Sequence, residues 1–126
     1  MRPRLLTSLV LAPLALLVSC GGGSSAPETT IPADAGLVVK AVPTIRWDKP
    51  EYSATAGEVN VFLANDDNVK HILVIREGDK VVGDLELVVN KRGDTAQGSI
   101  ELAAGTYSVY CIVPGHGGMN STLTVS

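Results

Sequence analysis

Short runs of apolar residues, separated by Gly, Pro, Asn and Asp, fill the chain from residue 37 to its end. Val59, Val61 and Leu63 alternate with Asn60 and Phe62, and in residues 122–125 Thr alternates with Leu and Val, which is the period of a strand with one buried face. Residues 71–75 are almost continuously apolar, as in a strand buried on both faces. The predicted strands are residues 37–47 with an interruption at Pro43, then 52–55, 59–65, 71–75, 85–89, 100–102, 106–113 and 122–125.

Beyond residue 19 no segment repeats its apolar residues at the spacing of a helix. Seven or eight short strands with frequent turns between them predict an all-β fold, a Greek-key antiparallel β-sandwich. An immunoglobulin-like sandwich has the same pattern, but that family normally pairs two cysteines across its sheets. A chain of 126 residues has room for one such domain, which we expect to be a monomer.

The first nineteen residues have the pattern of an export signal. Arg2 and Arg4 precede a largely apolar run over residues 5–18, which is short for a membrane span. The run ends in Leu-Val-Ser-Cys at residues 17–20, which resembles the lipobox of bacterial lipoproteins, where the Cys is acylated and becomes the mature N-terminus. We predict a lipoprotein signal peptide at 1–19 and lipidation of Cys20; the alternative is an ordinary signal peptide with a cysteine near its cleavage site.

Residues 20–35 consist mainly of Gly, Ser, Pro, Thr and Ala and contain no aromatic residue. This composition predicts a flexible tether, because there is little apolar surface to bury. The folded domain is then residues 36–126, held by lipid at the outer face of the cell membrane. Several acyl chains would anchor it stably, since each buried CH₂ contributes about 0.8 kcal/mol.

Charge narrows the range of partners. Of the ten Lys and Arg residues, Arg2 and Arg4 precede Cys20, so the mature chain has eight basic and thirteen acidic residues, a net charge of −5. An acidic chain argues against nucleic acid and against charge-driven binding to anionic lipid. The membrane contact expected is therefore the lipid on Cys20.

The residues that carry chemistry lie near the end of the chain. Cys111, His116 and Met119 fall within nine positions of a Gly- and Pro-rich segment, and His71 is the one other histidine. With Cys20 assigned to lipid, Cys111 is the sole thiol of the mature chain, so no disulfide can form. A thiolate, imidazoles and a thioether together suit copper that cycles between Cu(I) and Cu(II).

These residues resemble the cupredoxin family, the single-domain type 1 or blue copper proteins. The resemblance rests on the run from Tyr110 to Met119 and on residues 65–71, and it covers about residues 37–126. It implies a cupredoxin-like sandwich with one type 1 copper per chain, whose ligands are His71, Cys111, His116 and Met119. In such a site two His and one Cys form a trigonal plane, and Met is a long axial ligand.

Two positions depart from the family pattern. Cupredoxins with four residues between Cys and His usually leave three or four more before Met, whereas two glycines separate His116 from Met119 here. Many members follow the first His with Asn or another polar residue, and here that residue is Ile72. Our hypothesis is that the Cys111 sulfur accepts fewer hydrogen bonds as a result and that the reduction potential is raised.

The resemblance implies an electron carrier, not an enzyme: a membrane-tethered blue copper protein that passes single electrons between a redox donor and acceptor. The alternatives are a protein that stores, delivers or senses copper, and a copper-free interaction module. We expect His116 to be the most exposed ligand, in an apolar surface patch where a partner docks. Asp66 and Asp67 are expected to lie in a solvated loop, with a role in docking left open.

Overall fold

The computed structural model describes residues 29–126, and all the regular secondary structure in this range is β-strand. Within these residues no helix is long and apolar enough to cross a membrane. The predicted signal peptide, Cys20 and most of the predicted tether lie outside the described residues. The strands are β1 (Leu37–Val42), β2 (Arg46–Trp47), β3 (Glu51–Ala54), β4 (Gly57–Asn65), β5 (His71–Glu77), β6 (Lys80–Val81), β7 (Leu87–Val89), β8 (Thr95–Leu102), β9 (Gly105–Cys111) and β10 (Asn120–Val125).

The strands form two sheets that face each other across one core. The first sheet has the order β2-β1-β4-β8, and the second has the order β3-β10-β9-β5-β6, with β7 also paired to β5. Strands β1, β9 and β10 alternate between buried and more exposed residues, so each turns one face to the opposite sheet. This architecture confirms the predicted all-β sandwich.

Two details differ from the prediction. The structure has ten strands among residues 29–126, because β2 and β6 are two-residue strands too short to produce a hydrophobic period. The sheets are also mixed, since β1 pairs with β4 and β3 pairs with β10 in parallel. Alternation along a strand shows which face is buried, but it carries no information on the partner strand or its direction.

A single tryptophan links the two sheets. Trp47 lies in β2 of the first sheet, is buried, and donates a hydrogen bond from Nε1 to the Val109 carbonyl of β9 in the second sheet at 3.0 Å. Its ring centroid lies 6.2 Å from that of His71. The short strand β2 therefore closes the core at the end of the sandwich where the predicted ligands lie.

Candidate metal centre

Two adjacent strands deliver the first two predicted ligands. His71 is the first residue of β5 and Cys111 is the last residue of β9, and these strands are antiparallel neighbours with Leu73 opposite Cys111. Beyond that pair the Ile112 amide donates to the Ile72 carbonyl at 3.1 Å. The register therefore places His71 beside the loop that follows Cys111, which is where the third ligand was predicted.

The loop between β9 and β10 consists of two consecutive turns. The His116 amide donates to the Val113 carbonyl at 3.0 Å, across Pro114 and Gly115. Proline suits the first central position of a type II turn, and Gly115 has the positive φ of 87° that the second position requires. In the next turn the Met119 amide donates to the His116 carbonyl at 2.9 Å. The two turns fold His116 and Met119 back toward the end of β9.

The donor atoms of His71, Cys111 and His116 all lie within 4.8 Å of one another. The two imidazole centroids are 5.1 Å apart, and the Cys111 Sγ is 3.7 Å from the His116 Nδ1. His71 and Cys111 are fully buried, whereas His116 is half-buried. The fold thus brings His71 to Cys111 and His116, which lie some 40 residues later in the sequence, and the three make a compact group of one sulfur and two nitrogen donors.

Met119 is buried beside this group. Its side chain is 1% exposed, and its carbonyl accepts a hydrogen bond from the Cys111 amide at 3.1 Å. The short spacing between His116 and Met119 thus does not carry the methionine to the surface, because the second turn and the first pair of β9 and β10 bring it inward. Its role as axial ligand stays a prediction.

The surroundings of one imidazole nitrogen of His71 indicate whether these residues fit a metal. The Nδ1 atom of His71 is inaccessible to solvent and finds no hydrogen-bond partner among residues 29–126. A buried polar atom without a hydrogen-bond partner is costly, whereas a bound metal ion would use its lone pair. An imidazole lone pair next to a thiol and a second imidazole is the donor set that copper prefers, so the residues fit the metal.

The Cys111 sulfur accepts one main-chain hydrogen bond, from the Ile72 amide at 3.5 Å. The residue after His71 therefore contributes through its backbone, although its side chain is apolar. Hydrogen bonds to a ligating sulfur help set the redox potential of the metal. The hypothesis of a raised potential concerned the side chain at this position and stays a prediction.

The expectation for Asp67 is wrong, while Asp66 is exposed as expected. Asp67 is 7% exposed and its Oδ2 lies 3.2 Å from the His71 Nε2. Burial acts to raise the pKa of the Asp67 carboxyl, but hydrogen bonds from the Asn68 amide, His71 and the Ile45 amide outweigh it and hold the pKa below its ordinary value. The one sign in the sequence of a role for Asp67 was its position, four residues before a predicted ligand, from which the loop can fold back onto that ligand.

The surroundings of His71 act on the pKa of its imidazole in opposite directions. Burial, the largest effect, lowers the pKa of its imidazole, the hydrogen bond to Asp67 raises it, and the nearby His116 lowers it again. The net pKa lies below the ordinary value. His71 is therefore neutral at neutral pH, which is the state in which an imidazole nitrogen can bind a metal.

Solved structures from several organisms share this architecture. Auracyanin from Roseiflexus castenholzii covers 71% of this chain and 95% of its own, with a TM-score of 0.58 and 18% identity. The azurin Az-iso2 from Methylomonas sp. strain J covers 75% and 99%, with a TM-score of 0.60 and 14% identity. The purple cupredoxin from Nitrosopumilus maritimus covers 71% and 99%, with a TM-score of 0.55 and 21% identity.

The chain has the cupredoxin fold. No protein-family model and no curated protein sequence matches it. Within the cupredoxin fold, His71, Cys111 and His116, with Met119 buried beside them, have the arrangement of a type 1 copper site. The expectation that His116 is the most exposed of these four is confirmed, since the other three side chains are buried. Cys20, the predicted lipidation site, lies outside the described residues.

Proposed function

We propose that this protein is a type 1 copper protein that transfers single electrons between redox partners, and that lipid on Cys20 tethers it to the outer face of the cell membrane. The observation that carries the proposal is the group of three donor atoms, from His71, Cys111 and His116, within 4.8 Å of one another.

Bound copper supplies a one-electron couple between Cu(II) and Cu(I). The residues around it are suited to keep their positions in both states. His71 and Cys111 lie at the ends of paired strands, and two hydrogen-bonded turns hold His116. Sites built on rigid elements keep their geometry better than sites on unsupported loops. Little atomic movement is then needed when an electron enters or leaves.

A partner would approach over the loop that holds His116. This half-buried histidine is flanked by Pro114, Gly115 and Gly117, which are exposed and too small to cover its imidazole. Ile112 in the same loop is 40% exposed, which adds apolar surface next to the site. We propose that a redox protein docks on this apolar loop, so that the His116 imidazole lies on the shortest route for the electron.

Both histidines of the chain are assigned to this one site, so further copper centres of the kind that reduce oxygen or nitrite have no imidazole ligands left. The chain also has one cysteine in the loop, whereas a binuclear copper centre of the oxidase type needs two. We therefore propose an electron carrier, not an enzyme.

The first experiment is a Cu(II) titration of the purified full-length protein, followed by visible absorption and EPR. We expect an intense thiolate-to-copper absorption band with narrow hyperfine splitting, bleached reversibly by ascorbate. The Cys111→Ser variant is the matched control, because it exchanges one atom and should lose the band. A weak tetragonal spectrum, or a band that survives in the variant, would favour copper storage or delivery instead.

Membrane fractionation of a Cys20→Ala variant tests the tether.

A further inference from the structure

We propose that Asp67 is a positioning residue for the metal site: its carboxylate keeps His71 in the tautomer whose Nδ1 can bind the metal, and its negative charge lowers the reduction potential. The inference rests on the proposed function, because it concerns the same site. Asp67 lies outside the predicted ligand set, on a loop whose sequence predicts a solvated surface.

The contact between Asp67 and His71 determines which imidazole nitrogen carries the proton. Oδ2 of Asp67 lies 3.2 Å from Nε2 of His71, and both side chains are buried. A carboxylate oxygen accepts hydrogen bonds, so Nε2 is the donor. A neutral imidazole has one N–H, which leaves the lone pair on Nδ1. Nδ1 is the buried atom without a partner among residues 29–126, and it is the atom left to face the metal.

The Asp67 carboxylate is itself held from several directions. Its Oδ1 accepts the Asn68 amide at 2.7 Å and its Oδ2 accepts the Ile45 amide at 3.3 Å. The Asp67 amide donates to Oδ1 of Asn65 at 2.9 Å, and Asn65, fully buried, donates from Nδ2 to the Val69 carbonyl at 2.9 Å. The loop is therefore braced at both ends, and the carboxylate has little freedom to leave His71.

One of these contacts comes from a strained turn. Thr44 and Ile45, between β1 and β2, have φ values of 76° and 56°. Positive φ is unusual for any residue with a side chain and is a marked outlier for β-branched ones. Such strain persists where the surrounding structure holds it, often near functional sites. Here the turn directs the Ile45 amide to the carboxylate behind His71, so a third segment of the chain converges on Asp67.

A fixed negative charge behind a ligand favours the more highly charged state of the metal. A carboxylate that accepts from the distal nitrogen of a metal-bound histidine also makes that histidine a better electron donor. Both effects stabilise Cu(II) over Cu(I), and both depend on burial, since exposed charges are screened by water and salt. The neighbouring Asp66 carries the same charge but is exposed, so it should contribute far less.

The tautomer is tested without metal, by ¹⁵N NMR of the imidazole nitrogens in the full-length copper-free protein. We expect His71 to be protonated at Nε2 in the wild type and to become a mixture of tautomers in Asp67→Ala. That variant should also bind Cu(II) about 10- to 100-fold more weakly, as is typical when the outer partner of a metal-ligating histidine is removed. Protonation of His71 at Nδ1 in the wild type would overturn the inference. This measurement is made on the wild type, so it does not depend on whether the Asp67→Ala variant folds.

The effect of charge is tested by redox titration of three copper-loaded variants. Asp67→Asn keeps an oxygen that can accept from His71 but removes the charge, and we expect a higher potential than in the wild type. Asp67→Glu restores the charge and should return the potential toward the wild-type value. Asp66→Asn is the matched control and should leave the potential nearly unchanged. Equal shifts in Asp66→Asn and Asp67→Asn, or in Asp67→Asn and Asp67→Glu, would overturn the assignment.

The two proposals fail in different ways. If the wild type gives no type 1 spectrum with Cu(II), the proposed function is wrong, whatever the tautomer of His71. If the wild type gives that spectrum and Asp67→Asn keeps the wild-type potential, the electron carrier stands and the role of Asp67 is overturned alone.

Discussion

Neighbouring residues of the same type have different surroundings at this site. Asp66 is exposed, whereas Asp67 is buried against His71. His71 is fully buried, whereas His116 is half-buried on a surface loop. The chemistry of each side chain follows from its neighbours, because burial and hydrogen bonds set which proton an imidazole holds and which charge a carboxylate keeps. The site therefore has one histidine, His71, that is buried and held in a fixed orientation, and a second, His116, that lies near the protein surface.

The first prediction at this scale concerns the pH dependence of the copper-free protein. Burial, which is the largest effect, lowers the pKa of His71 from its ordinary 6.5, against the opposing hydrogen bond to Asp67. Between that value and the lowered one, the unfolded chain binds a proton that the folded protein does not. The free energy of unfolding should therefore be at its full value above about pH 6.5 and fall as the pH falls through this window.

Urea denaturation of the copper-free protein at a series of pH values measures this dependence. A His71→Gln variant should lose the slope in that window, because its side chain does not titrate. The lowered pKa of Asp67 acts in a separate window, below its ordinary 3.8, where stability is lost as the carboxylate becomes protonated. A wild-type slope that persists unchanged in His71→Gln would show that another group causes it.

At the scale of elements, the loop between β9 and β10 brings two predicted ligands back to the strand that carries the third. Its first turn depends on Pro114 and on Gly115, whose φ is 87°. The position of the Cys111 side chain follows from alternation along β9, where Tyr107, Val109 and Cys111 are all buried. A strand end followed by two tight turns is therefore sufficient to gather a thiol, an imidazole and a thioether.

The turn gives a clean test of backbone conformation. A Cβ atom added at Gly115 meets no atom within 4 Å, and the same is true at Gly118, which does not have a positive φ. Gly115→Ala should therefore lower the free energy of unfolding by about 1 kcal/mol through backbone strain alone, and Gly118→Ala should not. Thermal unfolding of the two copper-free variants measures the difference. Equal losses would mean that the turn relaxes without strain.

At the scale of the whole molecule, the site lies where the two sheets are joined. Trp47 belongs to the first sheet, donates to the Val109 carbonyl of the second, and has its ring centroid 6.2 Å from that of His71. The ligand strands β5 and β9 both belong to the second sheet. The packing of one sheet on the other thus supports the site from behind, and the core and the metal centre form one continuous region.

Trp47 should report metal binding, since it is the one tryptophan of the chain. Its side chain is 5% exposed, so we expect blue-shifted emission, and Cu(II) should quench it because the ring lies beside a predicted ligand. Quenching should reach its limit at one copper per chain and be greatly reduced in Cys111→Ser. Trp47→Phe should lose the signal and about 1 kcal/mol of stability, since the buried Val109 carbonyl loses its donor. Undiminished emission from a copper-loaded blue protein would contradict the placement of Trp47.

Prediction from the sequence succeeded where a local pattern carries the information. The strand around Cys111 and the buried run after His71 follow from alternation and from continuous apolar residues. It failed for Asp67, because an aspartate in a polar loop shows no sign of burial until the loop is folded against Ile45 and His71. It also missed the turn at Thr44 and Ile45, because β-branched residues favour strands and their positive φ is imposed by neighbours.

The sequence by itself determined the class of fold and the donor set. Short alternating runs with frequent turns indicate an all-β sandwich, because alternation depends on local order. A thiol, two imidazoles and a thioether favour copper, because metal preference depends on residue type. The tertiary structure decided the rest: the parallel pairs of strands, the buried Nδ1 of His71, and the carboxylate behind it. The parallel pairs join segments distant along the chain, and the Asp67 carboxylate, although four residues from His71, is held in place by the Ile45 amide from another segment. No local pattern encodes such contacts.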